Sequence, residues 1–173
     1  MDVQPIPLEL DNHRLIVLNS GEQHNNAASA YNQRRGECDR AAARLGLASL
    51  RDAKLSAINA LPLPLADRAR HVTSENHRVR EAVEALQRRD LDTLADLLSR
   101  SHVSMRDDFA ASTPAVEATV RQLLQAGATG ARMIGGGFGG CVLALISRAA
   151  ALPDGAFEVR PSVGAWIDRE RSR

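Results

Sequence analysis

Helical spacing dominates the middle of this chain. From about Asn26 to Leu45, Ala27, Tyr31, Cys38, Ala42 and Leu45 recur at intervals of three, four or seven residues, and Gly46 supplies a stop. Leu61-Pro-Leu-Pro64 interrupts regular structure. Beyond it, Ala69, Val72, Asn76, Val79, Val83 and Leu86 mark one face of a second long helix. Asp90 is placed to cap a third helix, with Leu91, Leu94 and Leu98 turned inward. Thr113 before Pro114 is an N-cap and first-turn pair. It opens a fourth helix with the stripe Val116, Val120 and Leu123, which Gly127 closes.

Strand patterns flank this helical block. Leu15-Ile-Val-Leu18 is a compact apolar run between Asp11-Asn12 and Asn19-Ser20-Gly21. Val3 to Leu8, broken by Pro5 and Pro7, fits an edge strand at best. Ala131 to Ile134 and Cys141 to Ile146 predict two strands around a glycine loop. Ala149 to Ala151 reads as a turn or a helical remnant. Phe157 to Arg160 alternates as a last strand stopped by Pro161, and the charged residues after Gly164 are expected to fray. Strands and helices segregated in this way predict an α+β fold, with helices packed on a small, mostly antiparallel sheet.

Composition narrows the class. A chain of 173 residues is one ordinary domain or one half of a larger unit. The net charge of +1 gives no global pull toward nucleic acid or an anionic membrane. With no long apolar run and no basic, apolar leader, a cytoplasmic protein is expected, without membrane or nucleic-acid partners. Cys38 and Cys141 lack metal-ligand spacing and are expected to be buried, reduced thiols.

The chemistry concentrates in Gly135-Gly-Gly-Phe-Gly-Gly140, where five of six residues are glycine. Glycine in such density weakens an element interior, so it belongs where a backbone turns with positive φ or approaches a ligand closely. Successive backbone N–H groups in such a turn attract phosphate. Gly135, Gly137 and Gly140 satisfy G-x-G-x-x-G, but the apolar run that follows reads as a strand rather than the helix a dinucleotide fold requires. With Val142 they also satisfy the protein-kinase pattern, yet neither a later lysine nor an Asp-Phe-Gly triplet follows. A tight hairpin alone would need fewer glycines.

Met133-Ile-Gly-Gly-Gly-Phe-Gly-Gly-Cys141 resembles the third signature motif of the GHMP sugar and metabolite kinases, in its galactokinase form. Leu15-Ile-Val-Leu-Asn-Ser20 is similar to the family strand preceding its long helix. Ser29-Ala-Tyr-Asn-Gln-Arg-Arg-Gly-Glu-Cys38 resembles the block S-E-Y-x-x-R-R-x-x-C. Leu50-Arg-Asp52, Arg68-Ala-Arg-His-Val72, Ser74-Glu-Asn76 and Ser101 to Phe109 agree in the same order, so the resemblance runs from about Val3 to Gly164. It implies a ferredoxin-like GHMP kinase C-terminal domain over residues 21–164. Strands in residues 1–20 would belong to the sheet of a missing N-terminal domain, and residues 165–173 would be a frayed tail. It also implies transfer of the ATP γ-phosphate to galactose, with Tyr31 contacting the sugar and Gly135, Gly136, Gly137, Phe138, Gly139 and Gly140 at the transferring phosphate. His71, the block His102, Arg106, Asp107 and Asp108, and the pair Arg34 and Arg35 are read as structural or ion-paired.

The resemblance is to the C-terminal half alone. The blocks G-R-x-N-L-I-G-E-H-x-D and P-x-G-x-G-L-S-S-S-A do not occur in this sequence. The family's catalytic aspartate and its Mg²⁺ ligands lie in the same missing half. No catalytic or metal-ligating residue is therefore assigned here. ATP, Mg²⁺ and galactose enter only through the family, and the chain alone is expected to be inactive. Ile134 stands where the family has threonine, Ala30 where it has glutamate, and the connection from Ile146 to Phe157 is shorter than the family's helix-bearing one. Two readings follow: a portion that works with a separate N-terminal half, or a non-catalytic remnant or interaction module. Unpaired neighbours of Leu15–Leu18 predict self-association.

Overall fold

The computed structural model describes residues 5–22 and 27–161. Four strands, β1 (His13–Asn19), β2 (Ala128–Met133), β3 (Cys141–Ser147) and β4 (Phe157–Val159), form one antiparallel sheet in the order β2-β3-β1-β4. Between β1 and β2 run α1 (Ala27–Arg44), a 3₁₀ turn at Leu50–Asp52, α2 (Leu55–Ile58), α3 (Leu65–Arg88), α4 (Leu91–Asp107) and α5 (Pro114–Gln125). This strand order is the ferredoxin-like one, with β3 inserted between β1 and β2. In place of a second crossover helix, Arg148 to Ala156 follow turns and extended chain.

The sequence reading placed Leu15–Leu18 in the sheet of another domain. Their pairing corrects this: β1 lies inside this chain's own sheet, hydrogen-bonded to β3 on one side and β4 on the other. Ile16, Val17 and Leu18 are all buried. A continuous apolar run suits a strand covered on both faces, and that is the environment β1 occupies. The unpaired edge foreseen for β1 is therefore absent, and the short β4 forms the sheet edge instead. Pro5 to Leu10 form no strand. Val3 and residues 165–173 lie outside the described residues.

Alternation assigns the two faces of the sheet. Ile16, Leu18, Val142, Ala144 and Ile146 meet Val116, Val120 and Leu123 of α5. Leu15 and Leu145, paired across β1 and β3, meet Leu91, Leu94 and Ala95 of α4 on the opposite face. Met105, near the C-terminal end of α4, joins the α5 side, so α4 passes beside β2 from one face to the other. The caps follow the sequence: the Asp90 carboxylate accepts from the Thr93 N–H and the Thr113 hydroxyl from the Val116 N–H. In α3 the inward line turns along the helix. Leu65, Ala66 and Ala69 are buried, whereas Val79 is 61% exposed, against the sequence expectation. The first turns of α3 pack under α1, while Ala82 and Leu86 face the α4 cluster, so no straight stripe serves both.

One contact fixes how closely α4 approaches the sheet. A Cβ on Gly130 would lie 2.2 Å from the Ala95 carbonyl oxygen. Backbone atoms cannot swing aside as a side-chain tip can. Gly130→Ala is expected to destabilise the fold by about 1–3 kcal/mol. Gly36 in α1 meets only the Arg40 guanidinium, at 3.6 Å, so Gly36→Ala is expected to stabilise by about 0.5–1 kcal/mol. Urea unfolding of the two variants beside the parent checks both signs.

Candidate functional site

β2 and β3 run antiparallel and are joined by Ile134 to Gly140, so the glycine loop is the tip of a hairpin. Three neighbours shape it. The Phe138 N–H donates to the Ala111 carbonyl at 2.7 Å, the Gly140 N–H to the Glu22 carbonyl at 3.3 Å, and the Ser20 N–H to the Gly140 carbonyl at 2.9 Å. Gly137 has φ +84° and sits so close to the α4–α5 connection that a Cβ there would be 2.8 Å from both Cβ and O of Ala111. Both reasons for glycine, left-handed backbone and close approach, hold at this position.

Gly135 and Gly136 face solvent. Among the described residues, the N–H groups of Gly135, Gly136, Gly137 and Gly139 donate to no other described group. A turn with unused amides is a concavity suited to an anion. Tyr31, on the first turns of α1, lies over this tip: a Cβ on Gly136 would stand 3.6 Å from its Cδ2 and 3.9 Å from its Cε2. The tyrosine is 49% exposed, so it lines a surface rather than filling the core. Residues far apart in the sequence thus meet at one open place. Phe138 packs against the main core, and its backbone has φ 63°.

The helix bearing Tyr31 is anchored by a buried ion pair. Glu37 is 3% exposed and accepts from Arg68 Nε at 2.7 Å, from Arg34 Nη1 at 3.0 and 3.2 Å, and from Gln33 Nε2 at 3.1 Å. Arg68 also donates to the Asp108 carbonyl, joining α1, α3 and the end of α4. Burial works to raise the Glu37 pKa, but the Arg68 hydrogen bond and the Arg34 charge outweigh it and hold it below the ordinary carboxylate value. The remaining polar block is hydrogen-bonded or ion-paired within the fold. The buried His71 bonds the Ser104 hydroxyl through Nδ1 at 3.0 Å and stacks on Phe109. Asp108 meets Arg70 and Ser104, and Arg106 pairs with Asp107. Cys38 and Cys141 are free but only half-buried, less enclosed than the sequence reading had them. Among the described residues no cluster of three or more His, Cys, Asp or Glu side chains could hold a metal ion. No described helix is long and apolar enough to cross a membrane.

Residues 82–156 match the family described as GHMP kinases C terminal. The chain is 46% identical over 136 residues to the galactokinase of Mycobacterium bovis (strain BCG / Pasteur 1173P2), across 76% of this chain and 38% of that protein. It is 42% identical over 154 residues to the galactokinase of Haemophilus influenzae (strain PittEE), across 84% of this chain and 40% of that protein. The crystal structure of Lactococcus lactis galactokinase complexed with galactose superimposes with a TM-score of 0.76 at 31% identity, over 82% of this chain and 39% of that one. Residues 82–156 therefore match the GHMP kinase C-terminal domain, and the fold is similar to the corresponding part of galactokinase. Mevalonate kinase of L. major, complexed with R-mevalonate, shares the fold at a TM-score of 0.60 and 24% identity. The chain spans about two fifths of the length of the curated relatives it matches.

Sequence reasoning missed Glu37 as an interior group and missed the support given by Glu22 and Ala111. A buried carboxylate breaks no apolar stripe, and its only local signal was the pair of possible partners Gln33 and Arg34 on the same helix. The support from Glu22 and Ala111 runs through backbone carbonyls, which no residue type announces.

The folded-state pKa of Glu37 lies below its unfolded value. Its contribution to stability is complete above the ordinary carboxylate pKa and is lost as pH falls through the lowered folded value. Glu37→Gln is expected to lower stability at neutral pH by on the order of 3–5 kcal/mol and to flatten the acid limb of the stability–pH curve. Denaturant midpoints measured from pH 7 down to pH 3 check this.

Proposed function

We propose that this galactokinase-like domain forms one wall of a sugar-kinase active site. Galactose rests against Tyr31, and the phosphates of ATP rest against the exposed amides of the glycine loop. The observation that carries the reading is the contact between the Tyr31 ring and Gly136 at an open surface, beside the amides of Gly135 and Gly136, which donate to no described group. The chemistry of such a wall is positioning. Phosphoryl transfer gains most from in-line alignment and from charges aimed at the phosphoryl oxygens. Loop amides supply donors for one side of that group. No residue of this chain is assigned to Mg²⁺ or to accepting the sugar's proton, so transfer requires the partner half, whether on a separate chain or a contiguous one. Loss of one preorganised electrostatic group alone typically costs about 3–4 kcal/mol of barrier, and several are absent.

A second reading is a non-catalytic remnant or interaction module that keeps the scaffold. Two observations favour it. Ile134 places an apolar branch at the foot of the loop, where the family carries a hydroxyl. The β3–β4 connection contains no helix among the described residues, and Leu152 and Phe157 stand exposed near the sheet edge. A cytoplasmic setting goes with either reading.

The chain alone, at high concentration with ATP, Mg²⁺ and galactose, is expected to release no ADP in a coupled assay. Turnover that survives repurification would overturn this. Addition of the N-terminal region of a galactokinase is expected to restore galactose-dependent turnover. Tyr31→Ala is then expected to raise the KM for galactose by about tenfold, the worth of one contact of about 1.4 kcal/mol. Neither binding nor turnover in the mixture would favour the remnant.

A further inference from the structure

The loop has a support that the proposed chemistry does not use. His102, on the buried side of α4, accepts the Met133 N–H on Nδ1 at 3.4 Å and faces Glu117 Oε1 with Nε2 at 2.9 Å. Met133 is the last residue of β2, one step before the loop, and its N–H lies on the strand edge that β3 does not occupy. Glu117, on the first turn of α5, also accepts from the Ser112 hydroxyl at 2.5 Å and lies 3.5 Å from Arg106 Nη1. Ser112 follows Ala111, whose carbonyl receives the Phe138 N–H and against which Gly137 is pressed. One imidazole–carboxylate pair therefore holds the entry of the loop through Met133 and its tip through the Ser112–Ala111 backbone.

The pattern dictates the tautomer. An acceptor Nδ1 carries no proton, so Nε2 must carry it and donate to Glu117. We propose that the His102–Glu117 pair braces the glycine loop only while His102 is neutral: a proton on Nδ1 sets two donors face to face and releases the end of β2. His102 is thus a positioning residue that couples the shape of the loop to proton uptake. The charged groups acting on it are Glu117 on α5, Arg106 and Asp107 on α4, and Arg132 on β2. Burial pulls its pKa down, Glu117 pulls it up, Arg106 and Arg132 side with burial, and the balance lies below the ordinary histidine value. The ring is accordingly neutral at pH 7 and the brace closed. The consequence for phosphate binding rests on the reading above, whereas the brace itself does not.

The test uses the ligand-free chain, so its outcome is separate from that of the kinase reading. Long-range ¹H–¹⁵N spectra at pH 7 are expected to show His102 with Nε2 protonated and Nδ1 bare. On acidification the amide shifts of Met133 and Gly135 to Gly140 are expected to move with the His102 midpoint. Protection of the Met133 amide, corrected for intrinsic exchange, should fall by about tenfold, the worth of one hydrogen bond. His102→Gln keeps a donor and an acceptor. It is expected to keep the loop shifts near those of the parent and to abolish their pH dependence. The Nδ1–H tautomer at pH 7, loop amides indifferent to the His102 titration, or unfolding before His102 takes up its proton would each overturn the proposal.

Discussion

The register of β1 on β3 is the constraint from which the site hangs. Asn19 stands opposite Cys141, so the ladder ends where the glycine loop ends. Pairing continues one step further through Ser20 and Gly140, and Gly140 returns a bond to Glu22. The Glu22 carboxylate in turn receives the hydroxyl of Thr113, the cap of α5. The segment that leaves β1, the hairpin tip and the α5 cap are thereby held to one another. A slip of one residue would turn Ile16 and Leu18 to the opposite face and break every one of these bonds, so burial of the apolar set enforces the geometry of the loop.

Polar groups in the interior of this domain serve position. Glu37 with Arg68, His71 with Ser104, and His102 with Glu117 each join different elements, and each has its polar atoms matched. A buried ion that loses its partner is costly, whereas the matched pair contributes modestly to stability; its stronger effect is on which arrangement is allowed. That suits the proposed role of this surface, which asks for fixed positions rather than extra stability. The aliphatic core fixes the layers, and the polar links fix where helix α1 and the loop sit within them.

Much of this was legible in the sequence because the signals were local. Asp90 and Thr113 cap the helices they were expected to cap, and two strands flank the glycine loop as expected, although β2 starts three residues earlier than the sequence suggested and stops before Ile134. The meeting of Tyr31 with the loop was legible only through resemblance, since no local pattern links residues so far apart. Three features resisted. Residue type alone does not say which strands β1 will pair with, so an apolar run that fits the centre of this sheet was assigned to another. Val79 shares the period of its helix, but the helix changes partner along its length. Glu37 is hidden because a buried carboxylate with three matched donors has the same letter as a solvated one.

The place of β1 in the sheet also sets an order of assembly. Its two neighbours come from the opposite end of the described chain, so β1 has no partner until β3 has been synthesised and is flanked on both sides only after β4. Local helices can form during that interval, but the sheet closes late and through contacts of long sequence separation, the regime in which folding is slow. Shortening the chain ahead of Val159 would leave Leu15 to Val17 with one neighbour rather than two.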